Sequence, residues 1–222
     1  TLSRMATSRN RLRKAARNWL PPALVKAMRG GSSAVPTNGR TAQSANFHDN
    51  RGSDQALRIA HGPEFYDEVF ESEERWTLPY WKMQWYASWA VLADRVAHVE
   101  DAKVLDMGCG PGHLGRMLID QGVESFVGFD FSEKRVEQAR TLVPEARFEV
   151  DDAYTTDLFD TVDYNIVTCC EFLEHLDGDL EILARIPSGV RVLGTVPNYD
   201  AQAHVRFFST AEEVAGRYSE HI

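Results

Sequence analysis

The chain has 222 residues, 43% of them apolar and 26% charged, with a formal net charge of −9. That length suits one ample α/β domain with some extra chain. No apolar run approaches the roughly 20 residues that a membrane-spanning helix needs. The three cysteines, Cys109, Cys169 and Cys170, form no C-x-x-C pair, so neither a disulfide framework nor a zinc site is expected, and a reduced, cytoplasmic setting follows.

Residues 1–51 carry ten lysines and arginines against the single acid Asp49, a balance of +9. The remaining residues carry 14 basic and 32 acidic groups, a balance of −18. Phosphate binding needs positive charge, so an acidic core makes a nucleic-acid partner unexpected. The basic arm has Pro21-Pro22 and Gly30-Gly31 as breakers and little apolar material, and reads as mostly flexible. Arg11–Leu20 and Ala23–Met28 read as short basic amphipathic helices suited to peripheral contact with an anionic membrane or an acidic partner. A solvated arm and an organellar transit segment are the competing readings.

Residues 52–222 read as the folded domain, with a helical cap over about 63–98. Pro63 to Arg75 is acidic and aromatic. From Tyr80 to Val96, Trp81, Trp85, Trp89, Leu92 and Val96 recur at three- and four-residue steps, which predicts one amphipathic helix.

Lys103 to His113 then reads as a buried strand running into a glycine turn, with a helix beginning near His113. A dinucleotide fingerprint G-x-G-x-x-G started at Gly108 fails at His113. Started at Gly110 it fits through Gly112 and Gly115, but it leaves Asp106 and Gly108 without a role. No Lys-Ser or Lys-Thr follows to make a P-loop. The fuller pattern is D-x-G-x-G-x-G, Asp106 to Gly112, and over roughly Leu78 to His204 the chain resembles the class I S-adenosylmethionine-dependent methyltransferases.

That resemblance implies S-adenosylmethionine as cofactor and S-adenosylhomocysteine as product. Gly108 and Gly110, with Cys109 between them, would line the methionine part, while Asp106 supports the turn and the amino group. It also implies that the helical cap lies over the cofactor cleft, leaving Trp76, Tyr80 and Tyr86 as ligand-facing candidates. Ser125 to Asp130 reads as a second strand, and Asp130 lies 22 residues beyond Gly108, the spacing at which a strand-end carboxylate reaches ribose hydroxyls. Phe131 follows it as a further cofactor contact. Ser132 is the expected N-cap of the next helix. Arg147 to Val150 is the third strand, after which the resemblance implies that Asp152 accepts from the adenine amino group and the Ala153 amide addresses a ring nitrogen. Both aspartates at 151–152 could instead be turn formers.

Val162 to Cys170 reads as the fourth strand, with Cys170 counted among the cofactor contacts, and Arg191 to Val196 as the fifth. Many family members have an aspartate where Asn165 stands. Ser209 with Glu212 three residues on predicts a capping box for a last helix. The order predicts an α/β Rossmann-like fold, a doubly wound and mostly parallel sheet flanked by helices. The two strands that the family usually adds after the last helix are lacking, so the expectation is either a truncated sequence or a short sheet.

Glu171-Phe172-Leu173-Glu174-His175 follows the fourth strand, and on a helix the i, i+3 and i+4 positions would share a face. Glu171 and His175 are the candidate catalytic pair. Glu171, Glu174, His175 and His204 together resemble the magnesium or manganese site of methyltransferases that modify small-RNA 3′ ends. Metal binding, metal-free acid–base work or acceptor contact, and a structural role all remain open at this point. The expected function is O-methylation of a small-molecule, sugar or glycan acceptor. The alternatives are a metal-dependent RNA 3′-end 2′-O-methyltransferase and a cofactor-binding module without turnover.

Overall fold

A computed structural model describes residues 60–71, 74–201 and 203–221. The basic arm of residues 1–51, on which the two short amphipathic helices were expected, lies outside the described residues. Among them the elements run α1 (Pro63–Glu71), short 3-10 turns at Glu74–Thr77 and Tyr80–Lys82, α2 (Tyr86–Ala97), β1 (Lys103–Met107), α3 (His113–Asp120) and β2 (Ser125–Asp130). There follow α4 (Glu133–Leu142), β3 (Arg147–Val150), α5 (Leu158–Thr161), β4 (Ile166–Cys170), a 3-10 turn Leu173–His175, α6 (Asp179–Leu183), β5 (Arg191–Thr195) and α7 (Ala211–Tyr218).

The five strands form one sheet in the order β3-β2-β1-β4-β5, and every neighbouring pair is parallel. A parallel sheet buries both faces, and the alternation of strand side chains divides the core in two. Val104, Phe126, Phe148 and Ile166 meet α2, α3 and α4 through Trp89, Leu92, Val96, Leu114, Leu118, Val136 and Ala139. On the other face Leu105, Met107, Val127, Phe129 and Val167 meet Leu158, Phe159, Ile182, Leu183 and, from α7, Tyr218. Each fully buried aliphatic of this kind contributes about 1.5–3 kcal/mol. The chain therefore reverses direction across the sheet between β1 and β4, and the C-terminal ends of these two strands open the crevice where such folds take ligands.

Local structure departs from expectation at four places. The stripe from Tyr80 to Val96 is not one helix. Met83 is extended (φ −74°, ψ 147°), so a 3-10 turn precedes α2, and Trp81 is 52% exposed rather than part of the buried stripe. β4 begins at Ile166, not Val162, and Asn165 just before it ties the strand to the start of β1: its Oδ1 accepts from the Lys103 amide at 2.8 Å and its Nδ2 donates to the Asp101 carbonyl at 3.1 Å. β5 stops at Thr195, one residue short. The last helix is capped by Thr210, whose Oγ1 accepts from the Glu213 amide at 3.3 Å while Glu213 reaches back to the Ser209 amide at 2.6 Å, so the capping box stands one residue later than Ser209–Glu212. Ser132 does cap α4, accepting from the Arg135 amide at 3.2 Å.

Gly194 shows how closely β4 and β5 pack. A Cβ there would stand 2.6 Å from the Cys169 carbonyl oxygen and 2.7 Å from its Sγ. Backbone cannot yield as a flexible side chain can, so Gly194→Ala is expected to destabilise by about 1–3 kcal/mol. Urea unfolding checks this through a lowered midpoint at unchanged slope; an unchanged midpoint would mean that the strands part easily. Among the described residues, no helix is long and apolar enough to cross a membrane.

Candidate active site

The chain leaves β1 through Gly108 (φ 67°) and Gly110 (φ 50°), a left-handed backbone that side-chain-bearing residues adopt only at a cost. The two glycines are needed for different reasons. A Cβ on Gly108 would lie 2.3 Å from the Phe172 ring, so this position lets β4's exit pack on the turn. A Cβ on Gly110 would meet nothing within 4 Å, leaving open space over the turn. The turn is tied to the next strand: the Gly110 amide donates to Asp130 Oδ2 and the Ser132 amide to Asp130 Oδ1, both at 3.0 Å.

Burial raises the Asp130 carboxyl above its usual range, against the two amide bonds that lower it. Asp106 sits beneath the turn, 2% exposed, accepting from Thr168 Oγ1 at 2.6 Å, and burial pushes its carboxyl up to about 7. Cys109 is buried, its amide donates to the Phe129 carbonyl at 3.0 Å, and burial holds its thiol well above the ordinary range. Cys170 ends β4 with its thiol likewise raised by burial. Phe131 follows Asp130 with a partly exposed ring. After β3, Asp151 Oδ2 accepts from Thr156 Oγ1 at 2.5 Å, while the exposed Asp152 accepts from the Tyr154 amide through Oδ1 at 2.9 Å. Ala153 is buried and its carbonyl accepts from Arg185 at 2.8 Å. Asp106, Asp130 and Asp152 thus stand in or just beyond the C-terminal halves of three adjacent strands, around the open side of Gly110.

Beyond β4 the residues Glu171 to His175 do not form a helix. Glu171 takes a left-handed backbone (φ 52°), its amide continues the sheet to the Thr195 carbonyl at 3.1 Å, and its carboxylate accepts from Thr195 Oγ1 at 2.9 Å. The turn Leu173–His175 then carries Glu174 and His175 inward. Ligand atoms of Glu174, His175 and His204 lie within 4.8 Å of one another, and Glu171 stands outside that group. A helical face does not bring the trio together. The segment 203–206 does: Val205 donates its amide to the Glu174 carbonyl at 2.9 Å, His175 Nδ1 donates to the Ala203 carbonyl at 2.9 Å, and Arg206 donates to the carbonyls of Leu173, at 2.7 Å, and Leu176.

Glu174 is 0% exposed, and among the described residues neither of its carboxylate oxygens has a hydrogen-bond partner. Burial pushes its carboxyl up to about 8, and it pushes the His175 imidazole down to about 4. With Nδ1 donating to Ala203, the neutral imidazole turns its Nε2 lone pair toward Glu174 Oε1, 3.6 Å away. Two acceptors that face each other in a dry site require a proton or a cation between them. Such a set can take a proton from an acceptor oxygen near neutral pH, and one carboxylate with two imidazoles also suits a divalent ion.

One residue in this neighbourhood was not foreseen. Tyr66, on α1, lays its ring edge-on to His175 at 5.4 Å and tilted against Phe131 at 5.6 Å, and burial raises its hydroxyl pKa, with the Glu174 and Asp130 charges adding to the effect. Asp67, one residue on, accepts from Ser132 Oγ at 2.6 Å and holds α1 over the cleft. The only sequence signal was the aromatic run Phe65-Tyr66. Of the cap aromatics that were candidates, Tyr80 is buried in the core with its hydroxyl on Asp120 at 3.1 Å, and Trp76 and Tyr86 pack against the same core.

Residues 104–192 match the family model of a methyltransferase domain. A trans-aconitate 2-methyltransferase of Sinorhizobium medicae is 29% identical over 137 residues, 56% of this chain and 50% of that protein. A ubiquinone biosynthesis O-methyltransferase of Thiobacillus denitrificans is 30% identical over 145 residues, 62% of this chain and 53% of that protein. The chain spans about half the length of the curated relatives it matches. Among solved structures, the small RNA methyltransferase HEN1 superposes with a TM-score of 0.53 at 18% identity, over 60% of this chain and 21% of that one. The [4+2]-cyclase SpnF superposes with a TM-score of 0.51 at 17% identity, over 64% of this chain and 63% of that one. At such identities the structures show the fold alone.

Proposed function

We propose, for a chain that belongs to the class I S-adenosylmethionine-dependent methyltransferases, that it catalyses O-methylation of a small-molecule, sugar or glycan acceptor and releases S-adenosylhomocysteine. The observation that carries the reading is the buried, unpaired Glu174 carboxyl beside the neutral His175, across the strand ends from the open glycine turn. The residues present fit the cofactor: Gly110 offers space, and each Asp130 oxygen keeps a lone pair for a ribose hydroxyl. Asp152 is exposed to accept from the adenine amino group.

The bound cofactor supplies a methyl group already made electrophilic by its sulfonium. The chain's own task is to align an acceptor oxygen with it and to handle that oxygen's proton. Glu174 takes that proton in its ionised form, which gains population as the pH nears its raised value of about 8. His175 shares it through Nε2 and keeps its orientation through Nδ1–H on Ala203. Glu171 is proposed to hold the start of this turn, since its carboxylate is engaged by Thr195.

A second reading places magnesium or manganese on Glu174, His175 and His204, favoured by the two orphaned carboxylate oxygens. The RNA 3′-end variant of that reading is opposed by the acidic core. The cyclase neighbour is a reminder that the fold alone does not dictate methyl transfer. Methyl-labelled S-adenosylmethionine with a panel of trans-aconitate, catechol and a hexose, with and without chelator, separates these readings. Chelator-insensitive labelling that falls about 10²–10⁴-fold in His175→Ala supports the metal-free base. Labelling abolished by chelator and restored by manganese supports the metal. Tight cofactor binding with no labelling of a wide acceptor set would favour the non-catalytic module.

A further inference from the structure

Among the described residues, two side chains of the site have buried polar atoms without a hydrogen-bond partner: Glu174, through both carboxylate oxygens, and the half-buried Tyr66, through its hydroxyl. Buried groups of this kind are rare and unfavourable when left unpaired. An orphaned donor and an orphaned pair of acceptors here share one neighbourhood. The Tyr66 ring stands 5.4 Å from the His175 ring, His175 Nε2 stands 3.6 Å from Glu174 Oε1, and the Glu174 charge acts on the Tyr66 hydroxyl. The two nevertheless do not bond each other.

The position of Tyr66 is held from outside the pair. Asp67 bonds Ser132 at the start of α4, and the Tyr66 ring also packs, tilted, against Phe131, the residue after Asp130. Tyr66 therefore spans the distance from the ribose-binding strand end to the proton-accepting cluster. A group that donates one hydrogen bond and accepts another would complete both orphans at once, and an alcohol or phenol oxygen is such a group.

We propose that Tyr66 is an acceptor-contacting residue, its hydroxyl donating to the acceptor oxygen while Glu174 accepts that oxygen's O–H, with an alcohol or phenol as the acceptor class. The assignment rests on the methyltransferase reading and adds to it a residue from the cap. The rings of Tyr66, Phe131 and His175, set at angles to one another, give such an acceptor aromatic surface to pack on.

The test compares the full chain with Tyr66→Phe, which keeps the ring and removes the hydroxyl. Removing an unpaired buried hydroxyl should raise Tm by about 2–4 °C, since for a chain of this size that is the shift given by the loss of one unfavourable group. S-adenosylhomocysteine affinity should stay within about twofold, because Asp130 and Gly110 are untouched. Phenol, used as the probe and titrated by ligand-observed NMR into the S-adenosylhomocysteine-loaded protein, should bind at least about fivefold more weakly to the variant. A lowered or unchanged Tm would mean that the hydroxyl is satisfied within the resting protein and would overturn the proposal. So would phenol binding that is equal in the two proteins or absent from both. Failure of the unsubstituted chain to bind S-adenosylhomocysteine would register before phenol is added, and would remove the underlying reading instead.

Discussion

Between pH 5 and pH 8.5 the unsubstituted chain is expected to lose a few kcal/mol of stability that Glu174→Gln does not lose. Burial raises the Glu174 carboxyl from 4.5 to about 8. Below pH 4.5 it is protonated in both folded and unfolded chains, so its contribution is fully present. From there to about pH 8 the unfolded chain gives up the proton while the folded chain keeps it, and stability falls by about 1.4 kcal/mol per pH unit. Above pH 8 the penalty is constant. Asp106, raised from 3.8 to about 7, acts in the same direction over a lower window, so the glutamine variant should retain part of the slope. Urea unfolding at several pH values measures the difference. Parallel pH profiles for the two proteins would mean that Glu174 has a partner or water access in solution, and the proposed proton acceptor would lose its physical basis.

Gly110→Val is expected to weaken S-adenosylhomocysteine binding by more than about 100-fold while the chain still folds. The substitution costs about 1–2 kcal/mol, because valine resists the positive φ of 50°. Its Cβ has no protein atom within 4 Å, apart from its chain neighbours. What it fills is the space over the turn. Gly108→Ala is the useful contrast, because its Cβ would collide with Phe172 and damage the packing of the turn itself. Calorimetry on Gly110→Val, with circular dichroism as the folding control, checks the prediction. Binding within tenfold of the unsubstituted chain would show that the ligand does not cross this turn.

The sheet was legible because β1 to β4 are short runs that end at, or run straight into, glycine or an acid, and β2 and β3 lie at the expected residues. The helix break before α2 was not legible: tryptophan spacing carries the same period through Tyr80–Lys82 and Met83, and only the backbone reveals that the stripe is interrupted. The same limit governs the candidate site. Glu174, His175 and His204 were named as possible ligands, but their meeting depends on segment 203–206 docking on the turn at Glu174, a contact between residues some thirty apart. Glu171 was grouped with them on helical spacing. Its left-handed backbone instead sends the carboxylate to Thr195, a conformation that no pattern in a single sequence announces for a glutamate. Tyr66 escaped notice because an aromatic on a short amphipathic helix is ordinarily core, and its unpaired hydroxyl appears only in three dimensions.

The glycine turn at Gly110 and the carboxylate of Asp130 are proposed to bind the cofactor, and titration of S-adenosylhomocysteine into the full chain and into Asp130→Ala measures this. One-site binding by the unsubstituted chain, weakened about 10- to 150-fold when the Asp130 carboxylate and its charge-assisted bonds are removed, is the predicted result. No heat from the folded, unsubstituted chain, or equal affinity in Asp130→Ala, would contradict it.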